Sequence, residues 1–408
     1  MENSILSHFS SFNRSFILRT LSSIKYGRLY ITMKDENETK PRLFGNTSTE
    51  SIDSSEPKCS VIINSPNVWT RMSINADLIL KGFSEALMVG ELECDDLVAL
   101  VSIIPRIQKL FFRPSNDSRR ALQNASSHYD TSNALFSSFL SPDMSYSCPI
   151  WDTTGKEETL EEAQRRKVHN IIDKADIKPE HHILEIGGRW AYLAIEATLG
   201  EKRVEEAGLK DRIEILLCDY RQTPKPSPAG FDRIISVEMV EHVGEEYMET
   251  YFRTISELLN KENGIMVIQS TTETNQQGFH QTRSKIDTFM ERYIFPGGYL
   301  PTVREIIERL EAGSTGSLEL ESVQSIGPHY VRTLRLWRES FIRNWDKTKL
   351  LYMKERGDMT LLDLETFQRR WIGYFSYCEA GFRAGILGNH VITAKRPQVL
   401  SPSGIVPL

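Results

Sequence analysis

From residue 160 onward, helical patterns alternate with short apolar runs, and this alternation constrains the fold more than any other feature of the chain. Helical spacing covers Leu160–Ala175. The apolar runs after it are His182–Ile186, Ile213–Cys218, Phe231–Val237 and Ile265–Ile268. Strands that alternate with helices form a parallel sheet with helices on both faces. The sequence therefore predicts an α/β fold with a doubly wound sheet, and the core face of the first helix is predicted to carry Ala163, Val168, Ile171 and Ile172.

A different pattern precedes this region and predicts a smaller α+β domain. Leu29, Ile31 and Met33 alternate in the strand period, and Cys59–Ile63 is a second strand candidate. Helical patterns cover residues 76–113, with a second helix predicted over Asp95–Leu110. The polar stretch Arg113–Ser127 is the predicted linker. The predicted divisions are a disordered or targeting tail (1–23), an amino-terminal domain (24–113), the α/β domain (114–398) and a carboxyl-terminal tail (399–408).

Composition excludes several classes of protein. The 408 residues carry a formal net charge of -6, which is not the basic footprint of a nucleic-acid-binding protein. The five cysteines include no C-x-x-C pair, which argues against a disulfide framework and against a structural zinc site. No apolar run approaches the roughly 18 residues that span a bilayer, so any membrane contact is expected at the surface.

Polar residues follow the predicted strands where ligands bind in a doubly wound sheet, at the carboxyl ends. Glu185 precedes the Gly187-Gly188 turn, Asp219-Tyr220 follows the second apolar run, and residues 238–244 follow the third. Asp219 is placed to accept a hydrogen bond from an adenine amine. A tight glycine turn alone is a weak signal, because many such turns bind nothing. Three polar strand ends together predict a binding crevice.

Ordered motifs from about Ile24 to Lys395 resemble one family. They are Gly90–Leu97, Ser127–Asp130 with Asn133 and Phe136, Met144–Cys148, Glu241–Gly244, Arg292–Gly298, Arg332–Trp337 and Tyr377–Phe382. Together they resemble the cyclopropane-fatty-acyl-phospholipid synthases, and the chain is similar to a fungal or plant-like member with a shortened core. The resemblance implies a class I S-adenosylmethionine methyltransferase fold, with a Rossmann-like sheet.

The resemblance also implies a reaction and its participants. Members transfer the methyl of S-adenosylmethionine to a cis double bond of a phospholipid acyl chain, with bound bicarbonate as the base. The implied catalytic residues are Cys148, Glu241, Gln269, Tyr374 and Cys378. Glu241 orients the bicarbonate, Gln269 replaces a family histidine, and Cys378 also fits a buried structural cysteine. The implied cofactor-binding residues are Tyr146, Ser147, Glu185, Gly187, Gly188, Trp190, Asp219 and Tyr220. The expected location is cytoplasmic and peripheral to a membrane that supplies the phospholipid.

Two departures from the family pattern concern the cofactor loop. Arg189 replaces a glycine of the family loop, where backbone and cofactor approach closely. A predicted helix over Ala191–Ala207 then leads to Ile213–Cys218 without the expected strand that ends in a ribose-binding acid. A skipped exon and true degeneration both explain this gap. Either one predicts weak binding of S-adenosylmethionine.

Two further questions stay open in the sequence. The helical segment His329–Trp345 mixes arginines with apolar residues, as an interfacial helix does and as a core helix with a solvated basic side also does. The alternative functions are another S-adenosylmethionine methyltransferase, acting on a different lipid or a small molecule, and an inactive lipid-binding relative.

Overall fold

A computed structural model describes the chain in segments, and these contain two separate sheets. The described residues are 13–24, 26–34, 40–46, 56–74, 80–104, 133–187, 214, 216, 218–274, 289–355 and 359–397. The predicted linker, the motif at 127–130, the predicted helix Ala191–Ala207 and the 399–408 tail lie outside them. The strands are β1 (Arg28–Met33), β2 (Arg42–Gly45), β3 (Lys58–Ile63), β4 (Leu92–Cys94), β5 (Ile183–Ile186), β6 (Arg233–Val237), β7 (Ile265–Glu273), β8 (Glu319–Ser325) and β9 (Leu387–Lys395).

Helices surround both sheets. The first, α1, covers residues 13–21. The others are α2 (Asn67–Ile74), α3 (Leu80–Met88), α4 (Leu97–Ile103), α5 (Asn133–Ser137), α6 (Leu160–Lys174), α7 (Met248–Leu258), α8 (Phe289–Tyr293), α9 (Val303–Ser314), α10 (Pro328–Arg343), α11 (Trp345–Glu355) and α12 (Leu361–Arg383). No helix in these segments is long and apolar enough to cross a membrane.

The amino-terminal sheet has the order β2-β1-β3-β4. β1 pairs antiparallel with β2 and parallel with β3. The predicted alternation in β1 is confirmed, because Leu29, Ile31 and Met33 are all fully buried. Ile17 and Leu21 of α1 enter the same core cluster. Residues 13–21 are therefore a packed helix and not part of a disordered tail, because these two side chains lie one helical turn apart on the buried face.

The larger sheet has the order β5-β6-β7-β9-β8. β5, β6 and β7 are parallel as predicted, whereas β9 pairs antiparallel with both β7 and β8. The sheet is thus mixed and not wholly parallel, which is common when an α/β sheet gains an antiparallel edge. Val267 lies in a core cluster with residues of α10 and α12, and Met266 lies in another with residues of α7 and α9. Helices cover both faces, as predicted.

The predicted strand Ile213–Cys218 is not seen in the described residues of that stretch. Glu214, Leu216 and Cys218 are not in a strand, and the other three residues lie outside the description. Within the described chain, β5 pairs with β6 alone. Ile183 of β5 is 42% exposed, although a central parallel strand of this kind of sheet buries both faces. β5 therefore lies at an edge of the described sheet.

The first predicted helix of the α/β region, α6, forms with a different buried face. A capping box between Thr159 and Glu162 starts it. Ala163 and Ile171 are buried as predicted, but Val168 and Ile172 are exposed, so their assignment to the core was wrong. Gln164 and Lys167 occupy buried positions instead. Both side chains bond to Ser147, and this polar contact determines which face of α6 turns inward.

Helix α10 is a core helix, so the interfacial interpretation of His329–Trp345 is wrong. Leu334, Trp337 and Phe341 are buried in the largest core cluster. Arg338 pairs with the buried carboxylate of Glu379 on α12 at 2.8 Å. The apolar face of α10 packs inside the protein, and its arginines face α12 and solvent.

Candidate active site

The candidate site lies at the carboxyl ends of β6 and β7. Glu238 follows β6 directly and has a φ of 50°, in the left-handed region that non-glycine residues rarely adopt. Its N–H donates to the Gln269 carbonyl of β7 at 2.7 Å. Strain of this kind costs on the order of 1–3 kcal/mol and is concentrated at functional sites. The strain makes this strand end a candidate for function.

The Glu238 carboxylate is the point where the donors of the site converge. Its Oε1 accepts hydrogen bonds from Cys148 N at 2.9 Å, from Gln269 Nε2 at 3.1 Å and from Asn389 Nδ2 at 2.8 Å. Its Oε2 accepts from the Tyr330 hydroxyl at 2.7 Å. The site therefore gathers four hydrogen-bond donors on one partly buried carboxyl group.

Glu241, in the turn after Glu238, is a carboxyl group of different character, because it is buried. Its Oε1 accepts a hydrogen bond from the Thr271 N–H of β7, and its Oε2 is buried without a hydrogen-bond partner. Burial, followed by the charge of Glu238, raises the pKa of Glu241 to about 8. At neutral pH Glu241 is therefore mostly protonated, as a buried carboxyl group close to a second one prefers.

Cys148 and Cys378 are not activated thiols. Cys148 is fully buried, and its carbonyl accepts from Gln269 Nε2 at 3.0 Å. Burial, with a further contribution from Glu238, raises the pKa of both thiols well above the usual range. A nucleophilic cysteine needs the opposite shift. Cys148 contributes backbone groups to the site.

Aromatic rings form one wall of the site. The Tyr146 hydroxyl donates to the Tyr374 hydroxyl at 2.6 Å. The Tyr146 ring lies 5.1 Å from Trp337, and Tyr374 contacts Trp371 at 5.5 Å and Phe295 at 5.6 Å. Aromatic faces attract cations, more strongly when water is excluded. A site with a partly buried carboxyl group and an aromatic wall is suited to a cationic ligand or intermediate.

Ser147 links this wall to α6. Its carbonyl accepts from Gln164 Nε2 at 2.8 Å, and its hydroxyl accepts from Lys167 Nζ at 3.1 Å. Burial lowers the pKa of Lys167, while the charges of Glu238 and Glu185 oppose that shift. Lys167 thus places a buried amine within the electrostatic influence of the acidic residues.

The predicted cofactor turn is described only at its start. Gly187 has a φ of 75°, and a Cβ there would lie 2.6 Å from the Met239 side chain. Only glycine fits this turn without strain. Glu185 is exposed on β5. Gly188, Arg189 and Trp190 lie outside the described residues.

Asp219 and Tyr220 lie beside the described part of β6. The Asp219 carboxylate accepts from Arg221 N at 2.9 Å and pairs with the Arg221 guanidinium. Tyr220 meets Tyr251 edge to face at 5.3 Å, and Tyr251 donates to Ser236 of β6 at 2.7 Å. The Asp219 carboxylate therefore has a partner within its own turn.

Comparison with known proteins decides the family. The sequence matches the family described as mycolic acid cyclopropane synthetase over residues 116–392. It is 33% identical over 381 residues to the tuberculostearic acid methyltransferase of Mycobacterium tuberculosis, covering 84% of each chain. The chain belongs to this family of S-adenosylmethionine-dependent methyltransferases.

Other relatives agree with this family. The chain is 30% identical over 365 residues to the cyclopropane-fatty-acyl-phospholipid synthase of Escherichia coli K12, covering 82% of this chain and 86% of the relative. Among solved structures, a mycolic acid cyclopropane synthase complexed with SAH and CTAB has a TM-score of 0.53 and 24% identity, and covers 70% of this chain and 99% of its own. Coclaurine N-methyltransferase has a TM-score of 0.59 at 17% identity, covering 77% and 99%. These two likenesses show the class I methyltransferase fold.

The sequence did not single out three partners of this methyltransferase site, Glu238, Tyr330 and Asn389. Glu238 had a signal, because it is the first polar residue after the predicted strand Phe231–Val237. Asn389 had none, since it reaches the site only because β9 pairs antiparallel with β7 and places it opposite Thr271. In the described segments, no group of three or more His, Cys, Asp or Glu side chains could hold a metal ion.

Proposed function

We propose that this methyltransferase alkylates a cis double bond of a phospholipid acyl chain, as a cyclopropane synthase does. The observation that carries the proposal is the partly buried carboxyl group of Glu238, whose partner Tyr330 packs on Trp337 together with Tyr146 of the aromatic wall. Alkylation of an alkene passes through a cation with no charge partner of its own. A fixed negative charge and aromatic faces in a dry pocket stabilise such a cation.

The described start of the cofactor turn fits S-adenosylmethionine, because Gly187 leaves the backbone at the end of β5 free of a side chain. When bound, S-adenosylmethionine supplies an electrophilic methyl group. The chain's own residues orient the alkene, exclude water and hold the negative charge. Glu241 remains neutral at pH 7 and adds no second charge to repel Glu238.

Bicarbonate does not fit the described site. The residues that the resemblance implies for bicarbonate include Cys148 and Gln269, and the Cys148 N–H and the Gln269 side chain both donate to Glu238 Oε1. The Thr271 N–H is bonded to Glu241. A second anion here would have to displace a carboxylate that belongs to the chain.

We also propose that the chain works at a lipid surface, although not through α10. Large apolar side chains are exposed on α11 and at the start of α12, with Leu350 at 69%, Leu361 at 65% and Leu362 at 62%. Lys347 and Lys354 of α11 are exposed on the same helix as Leu350. Exposed leucines flanked by lysines suit the interface of an anionic membrane.

The second candidate product is a methyl branch. It is favoured by the relatives named tuberculostearic acid methyltransferase and, at 32% identity over 269 residues, sphingolipid C9-methyltransferase of Candida albicans. That match covers 61% of this chain and 50% of the relative.

Incubation with monounsaturated phospholipid vesicles and trideuteromethyl-labelled S-adenosylmethionine separates the products by lipid mass spectrometry. A cyclopropane keeps two of the three deuterium atoms, because one is lost from the transferred methyl group when the ring closes. A methyl branch keeps all three. If calorimetry shows that the protein binds the cofactor but the lipid remains unlabelled, the protein would be an inactive lipid-binding relative.

A further inference from the structure

We propose that Glu238 is the built-in base of this reaction and occupies the place that bicarbonate holds in the family mechanism. This inference rests on the proposed function and adds to it. It assigns the proton-accepting step to a side chain of the protein in place of a dissolved anion.

The hydrogen bonds supply the first argument. A bound anion at the ends of β6 and β7 would need the donors of Cys148, Gln269, Asn389 and Tyr330. Each of them already donates to Glu238 at 2.7–3.1 Å. Anion sites in proteins are defined by donors of this kind, and here a covalently attached carboxylate satisfies them.

The backbone supplies the second argument. Glu238 has a φ of 50°, so the chain tolerates an unfavourable conformation at the residue whose carboxylate receives these donors. A residue whose role was only to cap β6 would have no need of this conformation, and glycine would adopt it at no cost. Retaining a glutamate here is consistent with a demand for its carboxylate.

The chemistry of the step supplies the third argument. The alkene π pair forms the new carbon–carbon bond as the sulfur–methyl bond breaks, and that bond's electrons remain on sulfur. The neighbouring carbon is then a cation. Glu238 accepts a proton from the new methyl group, and the released C–H pair closes the three-membered ring. A carbocation is so strong an acid that an ionised carboxylate is a sufficient base.

Glu241 cannot take this role at neutral pH. Its pKa of about 8 leaves it protonated, and its position is fixed by the Thr271 N–H. The two carboxyl groups thus have different hydrogen-bond surroundings and different roles. Glu238 receives the proton, and Glu241 keeps the pocket from gaining a second charge.

Binding of ¹³C-bicarbonate, followed by ¹³C NMR on the full-length protein, tests the inference without requiring turnover. The wild-type protein should show no saturable binding. Glu238→Gly frees the donors and relieves the left-handed backbone, so it should bind bicarbonate at millimolar concentration. Glu321→Gln, an exposed carboxyl group paired with Lys395 on β8 and β9, is the matched control and should behave as wild type. Saturable binding to wild type as tight as to Glu238→Gly would refute the inference, and so would a folded Glu238→Gly that binds none.

Turnover supplies a second measurement. Removing dissolved CO₂ should leave the wild-type rate unchanged, and Glu238→Gln should lower kcat by roughly 100-fold or more with little change in KM. Added bicarbonate should raise the rate of Glu238→Gly at least ten-fold above the rate of the same variant without bicarbonate. A wild-type rate that falls with CO₂ removal would overturn the assignment. If no labelled lipid forms at all, the proposed function fails, and the NMR result still decides whether Glu238 fills the anion site.

Discussion

Replacing Glu241 with glutamine should make the protein more resistant to alkaline unfolding. Glu241 has its pKa raised from 4.5 to about 8, with burial as the main cause and Glu238 as the second. Between these two values the folded chain holds a proton that the unfolded chain has released. Rising pH therefore favours unfolding throughout this window.

The size of the effect follows from the two pKa values. Linkage gives a loss of about 2.5 kcal/mol in the free energy of unfolding between pH 6 and pH 8.5 from this group alone. Glutamine has nearly the shape of the protonated acid, so its amide oxygen can still accept from Thr271 N–H. Because glutamine does not titrate, the variant should lose this part of the pH dependence.

Urea unfolding monitored by tryptophan fluorescence at several pH values measures the effect. The gap in unfolding free energy between Glu241→Gln and wild type should widen by about 2.5 kcal/mol from pH 6 to pH 8.5. Titrating groups that do not interact with Glu241 contribute equally to both proteins and cancel in this difference. Glu321→Gln should keep the wild-type slope. Parallel curves for wild type and Glu241→Gln would show that Glu241 is ionised in the folded protein at pH 6, and would refute the reasoning.

Three further predictions concern other parts of the chain. Glu379→Ala should destabilise the fold by roughly 3–5 kcal/mol, because it leaves the partly buried Arg338 without its carboxylate partner. Chemical denaturation measures this loss. The double variant Leu350→Asp/Leu361→Asp should sediment several-fold less with anionic vesicles and keep the wild-type thermal midpoint. Unchanged sedimentation would show that these residues do not contact lipid. Calorimetry should show that the protein of this sequence binds S-adenosylmethionine weakly. A protein from a transcript with an extra segment between about Ala197 and Val204, which encodes an apolar strand that ends in an acid, should bind it more tightly. Micromolar affinity without that segment would contradict the reasoning.

The comparison with relatives bears on that last prediction. The alignment with the tuberculostearic acid methyltransferase has 381 positions, more than the 84% share of this 408-residue chain that it covers. The relative therefore has residues opposite gaps in this chain. This is consistent with a shortened core, and the exposed edge of β5 is where the fold would receive another strand.

The sequence predicted those parts of the fold in which burial follows a regular period. β1, β3 and β6 formed close to their predicted bounds because their side chains alternate or are uniformly apolar. The face of α6 was mispredicted because Gln164 and Lys167 are buried by polar contacts that a hydrophobic pattern does not reveal. The core role of α10 depends on α12, which packs against it and is distant in sequence.

The site was predictable where its residues lie in the family motifs or directly follow a predicted strand. Glu241 and Gln269 came from motifs, and Glu238 was within reach of the same reasoning. Tyr330 and Asn389 come from a helix and an antiparallel strand, so no local pattern connects them to the end of β6. Their contribution depends on tertiary pairing, which a single sequence does not specify.

The position of β9 determines when the candidate site can exist during synthesis. β9 lies between β7 and β8, and it supplies Asn389 to the carboxylate of Glu238. A nascent chain that has not yet released Leu387–Lys395 from the ribosome has two unpaired strand edges and an incomplete donor set. Open strand edges promote association between chains. A stop codon shortly before Leu387 would therefore produce a polypeptide that aggregates. Such an allele would reduce the amount of folded protein as well as remove its activity.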